Sequence, residues 1–306
     1  MPDLAILYEH PAWFRPLFDV LDRRGVDYLA LSPDMAWDPA DRTPPAPVVL
    51  NRIAMSSFLR AGDGKGGEHP IFFATALFDH WSRVGARVVN GAGVLAIDAS
   101  KARQLSLIAA LGLAVPATRV VHRAADVAAA AAAIGFPLVV KANIGGSGAG
   151  IARFDNMAEL AWAIAEGQLP TSVDGVLLVQ DYVPARDGTI VRLETLDRRM
   201  LYAIEVAGGG AFDLCPADAC VEGSGISMRA IEPAPDLSRA AEAIAGAMDL
   251  DVGGVEVMID DRDGTARFYD INALSNFVAK PLDVLGWDPH ERLADYLVAL
   301  IEEATK

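Results

Sequence analysis

The pattern of apolar runs changes about half-way along the chain, and this change restricts the fold more than any other feature of the sequence. In the first half, short apolar runs such as residues 4–8 and 28–31 alternate with amphipathic segments such as residues 13–24. Alternating strands and helices are typical of a small parallel sheet. From Val176 onward the apolar runs lengthen and fewer helical patterns separate them. The second half therefore predicts an antiparallel sheet.

Composition and charge exclude several classes of protein. The 306 residues predict two or three sub-domains, and a net charge of -15 disfavours a nucleic-acid binder, because neutralising phosphates needs clustered Lys and Arg. No apolar run has the length of a membrane span, and residues 1–10 lack the basic start of a signal peptide. Cys215 and Cys220 do not have zinc-site spacing. We therefore expect a cytoplasmic protein without nucleic-acid or membrane partners.

Residues 137–154 (PLVVKANIGGSGAGIARF) carry the clearest sign of nucleotide chemistry. An apolar strand brings Lys141 to a glycine-rich loop, and a second strand follows. Glycines let backbone N–H groups approach phosphate oxygens, while Ser147 adds a donor and Lys141 a positive charge. Because the lysine precedes the glycines and a strand follows them, this is neither a Walker A loop nor a dinucleotide fingerprint. The alternative is a hairpin turn that is merely rich in glycine.

Two carboxylates and an amide suggest a metal site near the end of the chain. Glu256 and Asp270 lie on two predicted strands joined by the turn 261–264, and Asp270 and Asn272 share one strand face. Mg²⁺ takes hard oxygen ligands of this kind, and ATP phosphates and water would complete its octahedron. The alternative is a pair of acidic residues in ion pairs on a sheet surface. The aspartates of the turn are expected to be solvated: Asp260, Asp261 and Asp263.

Lys101 lies at the start of a predicted helix that runs to Leu111, with Asp98 or Ser100 as its cap. A lysine in the first turn opposes the helix dipole, so a bound anion nearby would explain its position. The alternative is an ordinary helix lysine.

These features follow one another in an order that resembles the ATP-grasp superfamily. The order is Lys101, Lys141 with its glycine loop, VQDYV at 179–183, Arg192, GGVEV at 253–257 and YDIN at 269–272. The likeness is greatest to the glutamate-ligase-like branch, which includes ligases that add glutamate to a ribosomal protein. Residues 88–118 resemble a passage of that branch, and the likeness covers roughly 88–280. Residues 1–87 match only loosely.

The resemblance implies a fold of mixed α/β and α+β class. It comprises an N-terminal parallel α/β domain (1–97), a central lid domain (98–183) and a C-terminal antiparallel-sheet domain with the metal site (184–306). The implied activity is Mg-ATP-dependent ligation: ATP phosphorylates a carboxylate, and an amine attacks the acyl phosphate to form an amide or peptide bond. The partners would be small-molecule or peptide carboxylates and amines, with a homo-oligomer left open. The alternatives are a kinase of an alcohol acceptor and a nucleotide-binding protein without turnover.

The resemblance also implies a role for each matched residue. The two lysines would cradle the phosphates under a lid loop at 145–150, backbone groups of 180–183 would read the adenine edge, and Arg192 would face the transferring phosphate and acyl intermediate. The residues implied to bind nucleotide are Lys101, Lys141, Gly145, Gly146, Ser147, Gly148, Gly150, Gln180, Asp181, Tyr182 and Val183. Those implied in catalysis are Arg192 and Lys141, and those implied to bind Mg²⁺ are Glu256, Asp270 and Asn272.

The chain departs from the branch at two strand positions. The branch has an aspartate that holds the ribose two residues before the arginine matched by Arg192, whereas this chain has Ile190; Asp187 could reach the ribose instead. The branch has a further arginine where this chain has Val206, and Arg229 is a candidate replacement.

Smaller differences concern the metal strand and the segment after it. The branch usually has aspartate at the position of Glu256 and glutamate at the position of Asp270. A magnesium site can accommodate this exchange of side-chain lengths. Asn276 and Lys280 could touch an acyl substrate, or they could belong to a solvated loop.

Overall fold

A computed structural model describes residues 2–53, 55, 69–145, 150–208 and 226–306, which form three sheets. The described elements of the first part are β1 (Leu4–Tyr8), α1 (Pro11–Arg24), β2 (Tyr28–Leu31), β3 (Val48–Arg52), α2 (Ile71–Arg83) and β4 (Arg87–Val89). The strands are all parallel, in the order β2-β1-β3-β4, so the predicted parallel sheet is confirmed. Pro11 begins α1, and Gly25 (φ 67°) ends it in the left-handed conformation that glycine favours.

Two short helices connect the first sheet to the second: α3 (Ala92–Asp98) and α4 (Lys101–Ala110). Ser100 caps α4, because its Oγ accepts the Arg103 N–H at 3.3 Å. Asp98, the other cap considered, is the last residue of α3, and its carboxylate accepts the Ala273 N–H at 3.0 Å. Lys101 is therefore the first residue of α4.

The second sheet is antiparallel, with two helices packed on one of its faces. Its elements are β5 (Thr118–Val121), α5 (Ala124–Ile134), β6 (Leu138–Ala142), β7 (Ile151–Phe154), α6 (Met157–Ala165) and β8 (Leu177–Asp181). The strand order is β5-β8-β6-β7. Leu138 and Val140 pack with α5 and α6 in one buried cluster. Because side chains alternate along a strand, Lys141 points to the opposite face.

The third sheet is also antiparallel, as predicted for the second half of the chain. Its strands and the helices near them are β9 (Thr189–Leu196), β10 (Arg199–Ala207), β11 (Ser227–Ile231), α7 (Pro235–Met248), β12 (Val252–Ile259), β13 (Ala266–Asn272), α8 (Pro281–Val284) and α9 (Pro289–Ala304). The strand order is β11-β10-β9-β12-β13, and α7 packs on one face. In the part of the chain that the structure describes, no helix combines the length and apolar character needed to cross a membrane.

The first and third sheets share one apolar core. Leu4 of β1, Ile204 of β10 and Leu293 of α9 belong to the same buried cluster. Helix α9 also packs along α1, where Arg24 pairs with Glu291 at 2.5 Å. The first and third sheets therefore form one packed unit, whereas the second sheet has a core of its own.

Asn90 links the first and third sheets through hydrogen bonds. Its Nδ2 donates to the carbonyls of Val252 (2.6 Å) and Ala273 (2.8 Å), and its Oδ1 accepts the N–H groups of Asp251 (2.9 Å) and Val252 (3.2 Å). The residue is buried, and its φ of 51° is one that asparagine tolerates better than most residues. One side chain therefore satisfies four buried backbone groups.

We expect Asn90→Ala to lower the free energy of unfolding by at least about 3 kcal/mol, because each buried polar group left unsatisfied costs ~1–3 kcal/mol. Asn156→Ala is the matched control, since it removes two exposed bonds at the start of α6, to the Glu159 N–H (3.0 Å) and to the Glu159 carboxylate (2.7 Å), and should cost about 1 kcal/mol. Urea denaturation of both variants measures the difference. Equal losses would show that Asn90 does not join the sheets.

Candidate functional site

Charged side chains from three elements meet between the second and third sheets. Lys101 at the start of α4 places its Nζ 2.5 Å from Oδ1 of Asp270 on β13, and both side chains are largely buried. Lys141 of β6 is 8% exposed, and its Nζ lies 5.6 Å from the centre of the Tyr269 ring. The structure thus brings both predicted phosphate lysines to the strand that carries Asp270.

A bulge in the β12–β13 hairpin shapes this part of the site. Glu256 lies opposite Asp270, but Val257 lies opposite Phe268, so Tyr269 is an extra residue on β13. Asn272 lies opposite Gly254, two positions along from the Glu256–Asp270 pair. The two carboxylates and the amide therefore share one face of the sheet, with Tyr269 inserted beside them.

Arg192 of β9 is held at three points. Its Nε lies 2.5 Å from Oε1 of Glu194, its Nη1 3.2 Å from Oε1 of Glu256, and its Nη2 3.3 Å from Oγ of Ser275. Glu194 is fully buried. Sequence reasoning missed Glu194, although a carboxylate two residues after an arginine on a strand must point to the same face.

Arg52, at the end of β3, reaches the same region from the first sheet. It is 2% exposed, its Nη1 donates to the Ser275 carbonyl at 3.3 Å, and its guanidinium lies 5.7 Å from the Phe14 ring centre. Burial lowers its pKa to about 10, although Glu194 acts in the opposite direction. Among the described residues, its Nε and the Oε2 of Glu194 have no hydrogen-bond partner. Sequence reasoning missed Arg52, whose only signal is that it ends an apolar strand.

Burial and like charges shift two pKa values at the site. Burial, followed by the positive charge of Lys101, lowers the pKa of Lys141 to about 8. Burial, followed by the negative charge of Asp270, raises the pKa of Glu256, and Arg192 opposes this shift. A polyanion would therefore stabilise the charged form of Lys141, and a cation would stabilise that of Glu256.

The residues present fit a magnesium ion. Glu256 and Asp270 supply two carboxylates on one face, and Asn272 Nδ2 donates to Glu256 Oε1 at 3.1 Å, which leaves the amide oxygen for a metal. Each carboxylate is also in an ion pair, with Arg192 and Lys101 respectively. Over the described ranges, no group of three or more His, Cys, Asp or Glu side chains forms a metal site, so the donor set depends on the amide.

The segment that leaves β8 is held by neighbouring backbone and side chains. Gln180 Nε2 donates to Thr118 Oγ1 at 2.9 Å, and the Tyr182 N–H donates to the Pro137 carbonyl at 3.1 Å. Asp181 accepts two hydrogen bonds from Arg262, at 2.6 and 3.2 Å.

The prediction that the turn aspartates are solvated is wrong for one of them. Asp261 and Asp263 are exposed, but Asp260 is completely buried. Arg262 and Arg267 fold back onto Asp260 at 2.8 and 2.7 Å and lower its pKa well below the usual range. Two arginines close in sequence thus compensate the burial of this carboxylate.

The two departures from the branch are neighbours in the structure. Ile190 of β9 lies directly opposite Val206 of β10, and both are buried in the core shared by the first and third sheets. Arg229 lies opposite Glu205, on the other face of the sheet from Arg192, and pairs with Glu205 at 2.9 Å. The structure does not bring Arg229 to the charged cluster.

The remaining candidates have no hydrogen bond or ion pair to the charged cluster among the described residues, or they lie outside those residues. Asp187 is exposed in a 3₁₀ turn, Lys280 is exposed at the start of α8, and Asn276 has a buried Oδ1 without a partner among the described residues. Gly145 and Gly150 are the described residues on either side of 146–149. The predictions that lie outside the described residues concern Gly146, Ser147, Gly148, Cys215 and Cys220.

The RimK-like ATP-grasp domain family matches residues 98–285 of this chain. The chain belongs to the RimK-like ATP-grasp family. The predicted ATP-grasp resemblance and fold class are therefore confirmed. The D-alanine--D-alanine ligase of Stutzerimonas stutzeri (strain A1501) is 33% identical over 106 residues, which cover 34% of this chain and 33% of that ligase. This chain thus matches about a third of the length of that relative.

Solved ATP-grasp structures are similar over nearly the whole chain. The RimK domain ATP-grasp protein of Sphaerobacter thermophilus DSM 20745 has 20% identity and a TM-score of 0.69, covering 96% of this chain and 99% of that one. D-cycloserine synthetase DcsG has 18% identity and a TM-score of 0.67, covering 98% and 99%. At this level of identity the likeness shows the ATP-grasp fold.

Gly254→Ala tests whether the Arg192–Glu194 pair needs a glycine beside it. An added Cβ would lie 2.7 Å from both Arg192 Nε and Glu194 Oε1, so we expect a loss of about 1–3 kcal/mol in unfolding free energy. Gly246→Ala is the control, because its Cβ meets nothing within 4 Å in α7 and should add roughly 0.5–1 kcal/mol. Urea denaturation measures the unfolding free energy of both variants. A wild-type value for Gly254→Ala would contradict the close packing of Gly254 against the Arg192–Glu194 pair.

The lowered pKa of Lys141 gives a test of whether this side chain holds the phosphates of a nucleotide: if it does, binding should weaken as the pH rises. Its lowered pKa of about 8 leaves it increasingly neutral above that value, whereas bound phosphates favour the charged form. Binding near pH 8 should therefore take up a proton, and affinity should fall between about pH 7 and 9. Calorimetry in two buffers of different ionisation enthalpy measures the uptake. Lys141→Met should bind more weakly and lose the pH dependence; an unchanged uptake in this variant would assign the proton elsewhere.

Proposed function

We propose that this chain is an ATP-dependent carboxylate–amine ligase that forms an amide or peptide bond through an acyl phosphate. The observation that carries the proposal is the convergence of Lys101, Lys141, Arg192, Glu256 and Asp270 in one largely buried cluster. Three cationic side chains in one cluster are unusual in a chain whose net charge is -15. ATP use by the ATP-grasp family supports the nucleotide assignment.

In the proposed reaction, a carboxylate oxygen attacks the γ-phosphorus of ATP, the bond to the β-phosphate oxygen breaks, and ADP leaves. A neutral amine then attacks the acyl carbon, the bond from that carbon to the phosphate oxygen breaks, and the proton lost by the amine passes to the leaving phosphate or to solvent. Lys101 and Lys141 would hold the phosphates, and Arg192, fixed by three partners, would stabilise charge on the transferring group. A Mg²⁺ ion held by Glu256, Asp270 and Asn272 would reduce the repulsion between carboxylate and triphosphate.

Substrate choice is proposed only at the level of class. Solved relatives include the ATP-grasp ligase PsnB with precursor peptide PsnA2 and AMPPNP, PsnB with a precursor variant, Mg and ADP, and the VanG D-Ala:D-Ser ligase of Enterococcus faecalis. We propose a small-molecule or peptide carboxylate and an amine for this chain. Ile190 and Val206 make an apolar pair where the branch carries charges, so the alternative is a nucleotide-binding protein without turnover.

A screen of amino acids and short peptides in pairs, with Mg-ATP and detection of ADP and phosphate, tests the proposal. A ligase should release both products in equal amounts only when carboxylate and amine are present together. ADP formation with a single alcohol acceptor and no free phosphate would indicate a kinase. Mg-ATP at about a hundred times its dissociation constant should stabilise the fold by roughly 2.7 kcal/mol. Stabilisation without any product would support the binding protein.

Asp270→Asn tests the magnesium assignment. Asparagine can still accept a hydrogen bond from Lys101, so the free energy of unfolding should change by only about 1 kcal/mol. Turnover should fall by ~10²–10³ or more, and nucleotide binding should need more Mg²⁺, because a charge that holds the ion is lost. Asp236→Asn, an exposed carboxylate paired with Arg239 on α7, is the control. Reduced stability with turnover intact would make Asp270 a structural ion-pair partner.

We also propose domain boundaries at 97/98 and 183/184, since the three sheets occupy successive stretches of the chain. A location in the cytoplasm is proposed from composition alone.

A further inference from the structure

Arg262, in the turn between β12 and β13, bridges two carboxylates from different sheets. Its Nη2 and Nη1 donate to the Asp181 carboxylate at 2.6 and 3.2 Å. Its Nε and Nη2 donate to Asp260 at 2.9 and 2.8 Å. Asp181 ends β8 in the second sheet, whereas Asp260 follows β12 in the third. One planar guanidinium therefore spans the junction of the two sheets, which the single point charge of a lysine cannot do.

The third-sheet end of this bridge is rigidly held. Asp260 is completely buried and also accepts from Arg267 Nε at 2.7 Å. Its carboxylate accepts a hydrogen bond from the backbone N–H of Arg262 at 3.0 Å, which stabilises the turn between β12 and β13. The position of Arg262 is thus set by β12 and β13, the two strands that also carry Glu256 and Asp270.

The chain leaving β8 lies along this turn. The Asp261 N–H donates to the Pro184 carbonyl at 2.9 Å, and Ala185 forms a β-bridge with Asp260. Backbone and side-chain contacts therefore act on the same short segment, residues 181–185. Asp181 is the residue of this segment that the Arg262 guanidinium binds.

We propose that Arg262 is a positioning residue that fixes the backbone of residues 180–183 at the distance from the charged cluster that an adenine base requires. This inference rests on the proposed function, because it takes that segment as the base-reading edge of the nucleotide site. Arg262→Ala should lower the free energy of unfolding, because the Arg262–Asp260 pair compensates a buried carboxylate. The Arg262–Asp181 pair is half-exposed, so it contributes little to the stability of the fold. We expect this pair to affect the position of the backbone of residues 180–183, and therefore the part of nucleotide affinity that depends on the base.

The experiment compares Arg262→Ala and Arg262→Lys with Arg239→Ala, which removes an exposed Arg–Asp pair on α7. Dissociation constants are measured for Mg-ATP, Mg-GTP and inorganic triphosphate with Mg²⁺. In Arg262→Ala we expect the ATP constant to rise about 10-fold, or about 1.4 kcal/mol, with triphosphate binding unchanged and the ATP:GTP preference reduced. Arg262→Lys should be intermediate, because lysine cannot bridge both carboxylates, and Arg239→Ala should match the wild type.

The outcomes separate the inference from the proposed function. If the wild type binds no nucleotide or triphosphate, the proposed function fails and the inference fails with it. If the wild type binds ATP and Arg262→Ala keeps both its affinity and its ATP:GTP preference, only the inference is overturned. An equal loss for ATP and triphosphate also overturns it, since Arg262 would then act on the phosphates or on the whole fold. Thermal unfolding of Arg262→Ala and Arg262→Lys shows whether such an equal loss comes from damage to the whole fold.

Discussion

The buried carboxylate of Glu194 is the interaction on which the charged site depends. It binds Arg192 at 2.5 Å and lies in the field of Arg52, so it compensates guanidinium groups from two different sheets. A buried charge without such compensation costs several kcal/mol. With one side of Arg192 fixed in this way, its remaining N–H groups are directed to Glu256 and Ser275. The lack of a side chain at Gly254 is part of the same arrangement, because any Cβ there would occupy the space of the pair.

The charges that face one another are carried by two packed units. Ile108 of α4 packs in the cluster beneath the third sheet, so Lys101 is fixed to the same unit as Asp270. Lys141 lies on the second sheet, whose core is separate. The Lys101 N–H donates to the Asn143 carbonyl at 3.1 Å, and Asn143 directly follows β6, so this bond helps to set the distance between the two lysines. At the β8 end of the second sheet, the Asp181–Arg262 pair adds a contact to the third sheet.

The fold and the middle of the site could be predicted because their signals are local. The β12–β13 hairpin can be predicted from two short motifs on either side of a turn, and alternation places Asp270 and Asn272 on one face. Arg52 was not predictable, because its role depends on Glu194, which is distant in sequence. Asp260 looked solvated in DDRDG, since nothing in the local sequence indicates that two arginines fold back on it. The start of α6 has a capping pair, Asn156 and Glu159, whose spacing of three residues is visible in the sequence.

The packing of α9 against α1 has a consequence for biosynthesis. Leu293 and Leu297 complete the apolar core that begins with Leu4 and the inner face of α1. Domains commonly fold in order as the chain leaves the ribosome, the N-terminal one first. Here one of the two apolar clusters that include strands of the first sheet stays incomplete without residues 289–304. A chain that lacks residues 289–304 should therefore expose apolar side chains of β1 and α1.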